Sequence, residues 1–349
     1  MNGLLLVNVG TPDEPTPAAV RRYLREFLGD GRVIDIHPIA RAVLLNLLIL
    51  PLRPRRSAEA YHKIWTPAGS PLLVHSRALA EAVQARLGAG WAVRLGMRYG
   101  QPSLASALRE ILALGCQRLM VLPLYPQQAS STTGATVEAV FDVLRDRQSH
   151  PSLSILPRFY DDPGFLATWV AHGQPIVDAE RPDHVLFSFH GLPERQIGTA
   201  DRERCADRPG AAPHCLTHET CCDAIGPENA SCYRAQCFAT ARLLAERLRL
   251  PPERYSVCFQ SRLGRTPWIR PYTDEVLASL LASGKRRLVV FCPAFVADCL
   301  ETLEEIGLRA REDFLAQGGE SMTLVPAPNA DPAWADSVAD LVRRAASSG

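Results

Sequence analysis

The chain of 349 residues has almost no charge imbalance, with 38 lysines and arginines against 37 aspartates and glutamates. Proteins that hold nucleic acid concentrate basic residues on one face, and that footprint is missing, so nucleic-acid partners are disfavoured. Long apolar runs are also missing. The longest, Val43 to Leu52, is ten residues interrupted by Asn46 and Pro51, about half of the ~20 a membrane-spanning helix needs. The start, Met1-Asn2-Gly3 running into Leu4-Leu5-Leu6-Val7, has neither the basic beginning nor the small-residue cleavage site of a secretory signal, so a cytoplasmic protein is expected. No Gly-x-Gly-x-x-Gly and no Gly-Lys-Ser/Thr loop follows a strand-like segment, which leaves a nucleotide cofactor little support. Ten cysteines in a cytosolic chain favour a metal, a cluster or buried thiols over a disulfide framework.

What is present is a regular alternation. Eight apolar segments read as strands: Leu4–Val9, Ala92–Met97, Arg118–Leu124, Leu153–Leu156, His184–Phe189, Tyr255–Gln260, Leu288–Cys292 and Met322–Val325. Between most of them lie stretches with apolar residues three and four apart, among them Leu72–Leu87, Phe165–Val177, Ala235–Leu248 and Leu300–Ala316, which predict amphipathic helices. Alternating strands and helices predict parallel sheets covered by helices. The fold class expected is α/β, with two similar Rossmann-like domains, each holding a four-stranded parallel sheet. The joint is expected near Pro157, giving domains 1–157 and 158–330. Residues 331–349 form a last helix expected to pack on the first domain.

One stretch stands out. Val185-Leu186-Phe187-Ser188-Phe189 ends abruptly at His190-Gly191-Leu192-Pro193. A buried strand there delivers an imidazole to the sheet's carboxyl rim, where open α/β sheets bind ligands. Imidazole serves near neutral pH as base, acid or metal ligand. For one histidine at a strand end, a hydrogen-bonded structural role is the commoner outcome. A second rim residue changes the balance: past Pro293 and Phe295 the chain opens into Asp298-Cys299-Leu300-Glu301, with Glu301 in the first turn of a helix. A carboxylate and an imidazole on one rim can bind a divalent cation or move protons.

Loops after the strands are richer in turn and polar residues than loops before them: Gly10-Thr11-Pro12, Arg98-Tyr99-Gly100, Tyr125-Pro126-Gln127 and Gln260-Ser261-Arg262-Leu263-Gly264. Both halves thus point such loops to one side, as a cleft would require. The run Val43–Leu52, with Arg41 before it and Arg53, Arg55 and Arg56 after it, fits a core helix, a cover over an apolar ligand or a membrane-surface contact.

Seven ordered motifs resemble the ferrochelatase family. They are Asn8-Val9-Gly10-Thr11-Pro12; Tyr61 with Ile64-Trp65 and Gly69-Ser70-Pro71-Leu72; Arg98-Tyr99-Gly100; and Leu124-Tyr125-Pro126-Gln127 with Thr132-Thr133-Gly134. The others are Ser188 to Pro193, Phe259-Gln260-Ser261-Arg262 with Trp268, and Asp298 to Glu305. The likeness runs from about Leu4 to Trp334. It implies a chelatase-like pair of Rossmann-like domains around a porphyrin cleft, and insertion of ferrous iron into protoporphyrin IX to give protohaem. It also implies that Val43–Leu52 forms part of the cleft lip; transient contact to a membrane surface is the expectation from the run and its arginines, and oligomeric state is left open. Carried over by motif, His190 and Glu301 become the metal and proton-transfer pair, and Tyr61, Arg98, Tyr99 and Trp268 become substrate-binding candidates. The family's acidic residues continue from the inner glutamate at four-residue intervals. Here Glu305 fits the first interval, but the second falls on Arg309; Glu304 reads as a solvated helix face. A cobalt chelatase of the same fold and a non-catalytic haem- or iron–sulfur-binding sensor are the competing readings, although a sensor would need no base.

Between Arg202 and Gln236 the alternation breaks, and six of the ten cysteines lie in or beside this insertion (residues 203–237): Cys205, Cys215, Cys221, Cys222, Cys232 and Cys237. A long structureless loop in a compact domain is unusual unless something ties it down. The spacing alone does not separate zinc from an iron–sulfur cluster. The family resemblance favours [2Fe–2S], which some members carry. No cysteine follows Cys299, and Ser130 stands where members with a C-terminal cluster place a ligand, so the internal arrangement is the one implied. The expected ligands are Cys205, Cys215, Cys222 and Cys232, with zinc or unligated thiols as the alternative.

Overall fold

The computed structural model describes residues 1–347 except Pro157, Pro209 and Arg265. Pro157, where the sequence places the joint, therefore lies outside the described residues. The chain forms two compact units. One comprises residues 1–125, 129–158 and 329–349; the other comprises 126–128 and 159–328.

Each unit holds a four-stranded parallel sheet, as the alternation predicts. In the first, β1 (Asn2–Thr11), β2 (Trp91–Gly100), β3 (Arg118–Pro123) and β4 (Ser152–Ile155) lie in the order β2-β1-β3-β4. In the second, β5 (His184–His190), β6 (Tyr255–Gln260), β7 (Arg287–Phe291) and β8 (Ser321–Leu324) repeat it as β6-β5-β7-β8. The first strand of each set is central and buried on both faces. That is why Leu4-Leu5-Leu6-Val7 and Val185-Leu186-Phe187 are continuously apolar rather than alternating. At β1 and β5 the order reverses direction, and ligands in doubly wound sheets bind at such reversals, beyond the carboxyl ends.

The covering helices follow from local chemistry. Helix Pro163–Glu180 starts where Asp162 accepts from the main-chain N–H groups of Gly164 (3.0 Å) and Phe165 (3.2 Å), with proline in the first turn. It buries Trp169 against Phe291, with ring centroids 6.0 Å apart, and Phe291 meets Phe187 at 5.3 Å. The sheet's other face is closed by Leu186, Val290, Leu280, Ile306 and Phe314. Helix Pro332–Ser347 packs on helix Pro71–Leu87 of the first unit, burying Trp334, Val338 and Val342, and the Arg343 guanidinium donates to the Arg86 carbonyl at 2.7 Å. Gly10 is required at its turn: its φ is +111°, and an added Cβ would lie 1.7 Å from the Tyr99 carbonyl oxygen.

Two stretches differ from the simple helices predicted. Residues 300–316 are not one α-helix. Leu300–Ala310 is a π-helix with i→i+5 hydrogen bonds, and Arg311–Ala316 resumes the α form. The run around Val43–Leu52 lies in three consecutive helical segments, Pro38–Val43, the π-helical Leu44–Ile49 and Leu50–Ile64. Leu45, Ile49 and Leu50 face inward, while Ile39, Val43, Leu47, Leu48 and Leu52 are exposed. Among the described residues no helix is long and apolar enough to cross a membrane.

Candidate active site

The second unit places both principal candidates on one rim. His190 ends β5 and Glu301 enters the π-helix that follows β7, and β5 and β7 are directly paired. The imidazole is half-buried, and its Nδ1 lies 2.6 Å from the Gly191 carbonyl oxygen. A carbonyl only accepts, so Nδ1 carries the proton and neutral His190 presents a lone pair at Nε2. The turn is held on two further sides. Gly191 N–H donates to the Gln260 carbonyl at 2.8 Å, and the Tyr233 hydroxyl donates to the His190 carbonyl at 2.8 Å. Trp268 and Phe295 flank the ring, each with centroids 6.4 Å away. Trp268 is fixed in turn by its indole N–H to the Leu263 carbonyl at 3.0 Å and by a bridge to Pro193.

The π-helix begins in a capping box: the Cys299 thiol and Thr302 hydroxyl satisfy each other's main-chain N–H groups. Thr302 Oγ1 also donates to the buried Asp298 carboxylate at 3.0 Å. Burial first, and then the charge of Glu301, push the Cys299 thiol well above its ordinary range, so it stays protonated beside the carboxylate. The i→i+5 pattern changes which residues share a face. Glu305 turns to β6, accepting from Ser261 N–H (2.9 Å) and Ser261 Oγ (2.5 Å). Glu304 is 6% exposed, not on a solvated face as the sequence suggested, with Arg309 Nε 3.5 Å from its carboxylate. Arg309 Nη2 also lies 3.8 Å from Glu305, so the residue that interrupts the acidic row pairs with both glutamates before it.

The first-unit candidates are tied into their own surroundings. Arg98 pairs with Asp30 at 2.5 Å and donates to the Ala135 carbonyl at 2.9 Å. Tyr99 is 1% exposed, stacks under the Arg98 guanidinium at 4.5 Å and donates its hydroxyl to Asp30 at 2.8 Å. Burial pushes its phenol far above the usual value. Tyr61 is buried on helix Leu50–Ile64, its ring edge-on to Trp65.

In the insertion, helix Glu194–Asp207 carries Cys205 in its last turn and helix Tyr233–Arg247 carries Cys237. Between them the described residues are turns and bends. Asp201 anchors the loop by accepting from His214 N–H (2.7 Å) and Cys215 N–H (3.0 Å), and Asn229 donates to the Cys221 and Ala224 carbonyls at 2.8 Å. Cys221 Sγ lies 3.7 Å from Cys222 Sγ. The neighbouring Cys215 thiol, ahead of burial, helps push the Cys232 thiol up to about 12. Arg234 points at Cys222 Sγ (3.1 Å) and Arg204 at Cys205 Sγ (3.4 Å). Among the described residues no three His, Cys, Asp or Glu side chains are arranged to hold a metal ion.

Sequence reasoning gave Gln260, Ser261, Phe295 and Tyr233 no role in this site, although Gln260-Ser261 stood in one of the motifs and Phe295 on the approach to Glu301; Tyr233 carried no signal.

The ferrochelatase family model matches residues 1–346. A ferrochelatase of Coxiella burnetii is 44% identical over 342 residues, covering 98% of this chain and 93% of the relative. One from Legionella pneumophila is 44% identical over 348 residues, covering 97% and 98%. Among solved structures, SirB from Bacillus subtilis with Fe3+ aligns with a TM-score of 0.53 at 13% identity, covering 98% of this chain and 94% of that one, a likeness of fold.

Proposed function

The chain belongs to the ferrochelatase family, and we propose that it inserts ferrous iron into protoporphyrin IX, releasing two protons and giving protohaem in the terminal step of haem biosynthesis, with His190 and Glu301 carrying the step. The alternatives, a cobalt chelatase or a sensor, are not favoured, since the relatives matched over nearly the whole chain are named ferrochelatase.

The observation that carries the assignment of residues is the half-buried imidazole at the strand-order reversal, its Nδ1 proton engaged by Gly191 and its Nε2 lone pair left for a proton. A free-base porphyrin is a flat apolar disc whose two pyrrole protons must leave as the cation enters. His190 accepts a pyrrole proton at Nε2, and the Glu301 carboxylate takes a proton onward or strips water from the incoming iron. Trp268 and Phe295 supply aromatic surface beside the imidazole. Bending the ring exposes its nitrogen lone pairs, at the few kcal/mol (~1–5) typical of substrate distortion. Tyr61, Arg98 and Tyr99 act on porphyrin binding indirectly, by bracing the lip helix and the loop carrying Asp30. We place the protein in the cytoplasm, with the exposed Ile39, Val43, Leu47, Leu48 and Leu52 and the neighbouring arginines touching a membrane surface transiently. The two units, with their site and insertion residues, are proposed to act as the N-terminal and C-terminal chelatase domains.

For the insertion we propose a [2Fe–2S] cluster on Cys205, Cys215, Cys222 and Cys232. Local chemistry supports it: the Cys215, Cys232 and Cys222 thiols are neighbours that shift one another's ionisation, and Arg204 and Arg234 point at sulfurs, where they would offset the anionic charge of a thiolate-ligated cluster. Bound there, the cluster supplies a cross-link that closes the loop; no step at His190 or Glu301 passes through it.

The test is His190→Ala. Loss of a general base costs ~10²–10⁴ in rate, while porphyrin affinity, read by fluorescence titration, holds. Near-normal turnover in His190→Ala overturns the assignment.

A further inference from the structure

Glu305 sits where the acidic row from Glu301 would continue, the natural place for a second carboxylate that passes protons or metal. Its surroundings are those of a fastening instead. One carboxylate oxygen accepts from the Ser261 main-chain N–H at 2.9 Å, and the other from Ser261 Oγ at 2.5 Å and Gln260 Nε2 at 3.4 Å; Arg309 Nη2 approaches at 3.8 Å. Gln260, 3% exposed, completes the fastening. Its Nε2 donates to the main-chain carbonyl of Glu301 at 2.8 Å, and its Oε1 accepts from Ser188 Oγ at 2.7 Å. Its own carbonyl receives the Gly191 N–H that holds the His190 turn. The end of β6 therefore holds the main chain of Glu301 and that of Gly191, the residue next to His190. Ser261 adopts φ +67°, a left-handed conformation costly for a residue with a side chain. That conformation lets both its N–H and its hydroxyl meet the same carboxylate.

We infer that Gln260, Ser261 and Glu305 form a latch that sets Glu301 relative to His190, and that Glu305 is a positioning residue which neither carries protons nor binds iron. The inference rests on the reading of His190 and Glu301 as the reacting pair. Both oxygens of the Glu305 carboxylate are already engaged by the end of β6, through Ser261 N–H, Ser261 Oγ and Gln260 Nε2. The latch instead fixes the π-helix at its first turn and again one turn on, so Glu301 has little freedom to swing. A misplacement of about 1 Å at a reacting group costs ~10²-fold in rate.

The experiment compares Glu305→Gln, Glu305→Ala and Ser261→Gly with the intact protein and Glu301→Gln, by anaerobic iron insertion across pH. Gln cannot pass a proton but keeps an oxygen for Ser261. The latch predicts that Glu305→Gln retains most of kcat with the same pH profile, while Glu305→Ala loses ~10–10²-fold in kcat with little change in porphyrin KM. Ser261→Gly relieves the left-handed strain, so it folds, and its kcat falls because the hydroxyl is gone. If Glu305→Gln falls as far as Glu305→Ala and loses a limb of its pH profile, Glu305 is a proton carrier and the latch is wrong. An inactive intact protein, or an unimpaired Glu301→Gln, would overturn the underlying reading instead.

Discussion

Replacing Gly191 by alanine is the sharpest structural test of how the site is aimed. The added Cβ would lie 2.9 Å from the Gln260 carbonyl oxygen and 3.1 Å from Trp268 Cε3, well inside the ~3.5–4.0 Å at which non-bonded carbons rest. Neither neighbour yields cheaply. The carbonyl belongs to the last residue of β6 and is the acceptor for Gly191's own N–H, and the indole is pinned through Leu263 and Pro193. The turn must therefore back away by roughly 0.5–1 Å, weakening the bond to Gln260 and carrying with it the carbonyl that orients the imidazole. Overpacking of this kind costs ~1–3 kcal/mol, and the strained hydrogen bond adds up to ~1 kcal/mol, so a fall in melting temperature of several degrees is expected. Activity should suffer more. A shift of that size at the base reduces turnover ~10–10²-fold, whereas porphyrin binding to the apolar surroundings is largely kept. The assay pairs calorimetric melting with fluorescence titration and anaerobic iron-insertion kinetics on one preparation. A Gly191→Ala protein that melts and turns over like the parent would refute the claim that this contact aims His190.

Two further outcomes follow from the second unit. Burial, then the charges of Lys285 and Arg254, push the His184 imidazole down to about 4, and its Nε2 meets Ser256 Oγ at 2.8 Å. The unfolded chain takes up a proton near pH ~6.5 that the folded unit refuses until about pH 4, so stability is full above that window and falls as pH drops through it, by at most ~3 kcal/mol. Urea midpoints at pH 7 and pH 4.5 should show this loss in the parent and a smaller one in His184→Gln; equal losses would sink the assignment. For the insertion, protein made with ample iron and sulfide should be reddish-brown and bleached by dithionite, and Cys215→Ser should lose both the colour and part of the melting temperature. A colourless protein with one zinc per chain would remove the cluster.

The strand-helix alternation was legible because central parallel strands are buried on both faces and so spell unbroken apolar runs, as in Leu4–Val7 and Val185–Phe187. His190 was legible for a related reason: the apolar run has to stop at the sheet's rim, and what stands there faces the ligand side. The geometry of the Glu301 helix was hidden. A shift from i→i+4 to i→i+5 bonding over Leu300–Ala310 leaves no distinct spacing in so short a stretch, and it is this shift that buries Glu304 and turns Glu305 to Ser261. The role of Gln260 was hidden because its bonds to the Glu301 carbonyl and the Gly191 N–H are to main-chain groups, which carry no sequence signature, and its side-chain partner Ser188 lies 72 residues away. The placing of residues 126–128 with the second unit and 329–349 with the first depends on contacts far apart in the chain, which local patterns do not encode.

The measurement closest to the central claim is anaerobic stopped-flow mixing of the purified protein with protoporphyrin IX and ferrous iron, following the haem Soret band and proton release together. The account predicts that haem forms above the no-enzyme control with two protons released per haem, and that His190→Ala binds porphyrin but slows both signals alike by ~10²–10⁴. No Soret band above the control, or haem formation that His190→Ala leaves at the parent rate, would contradict it.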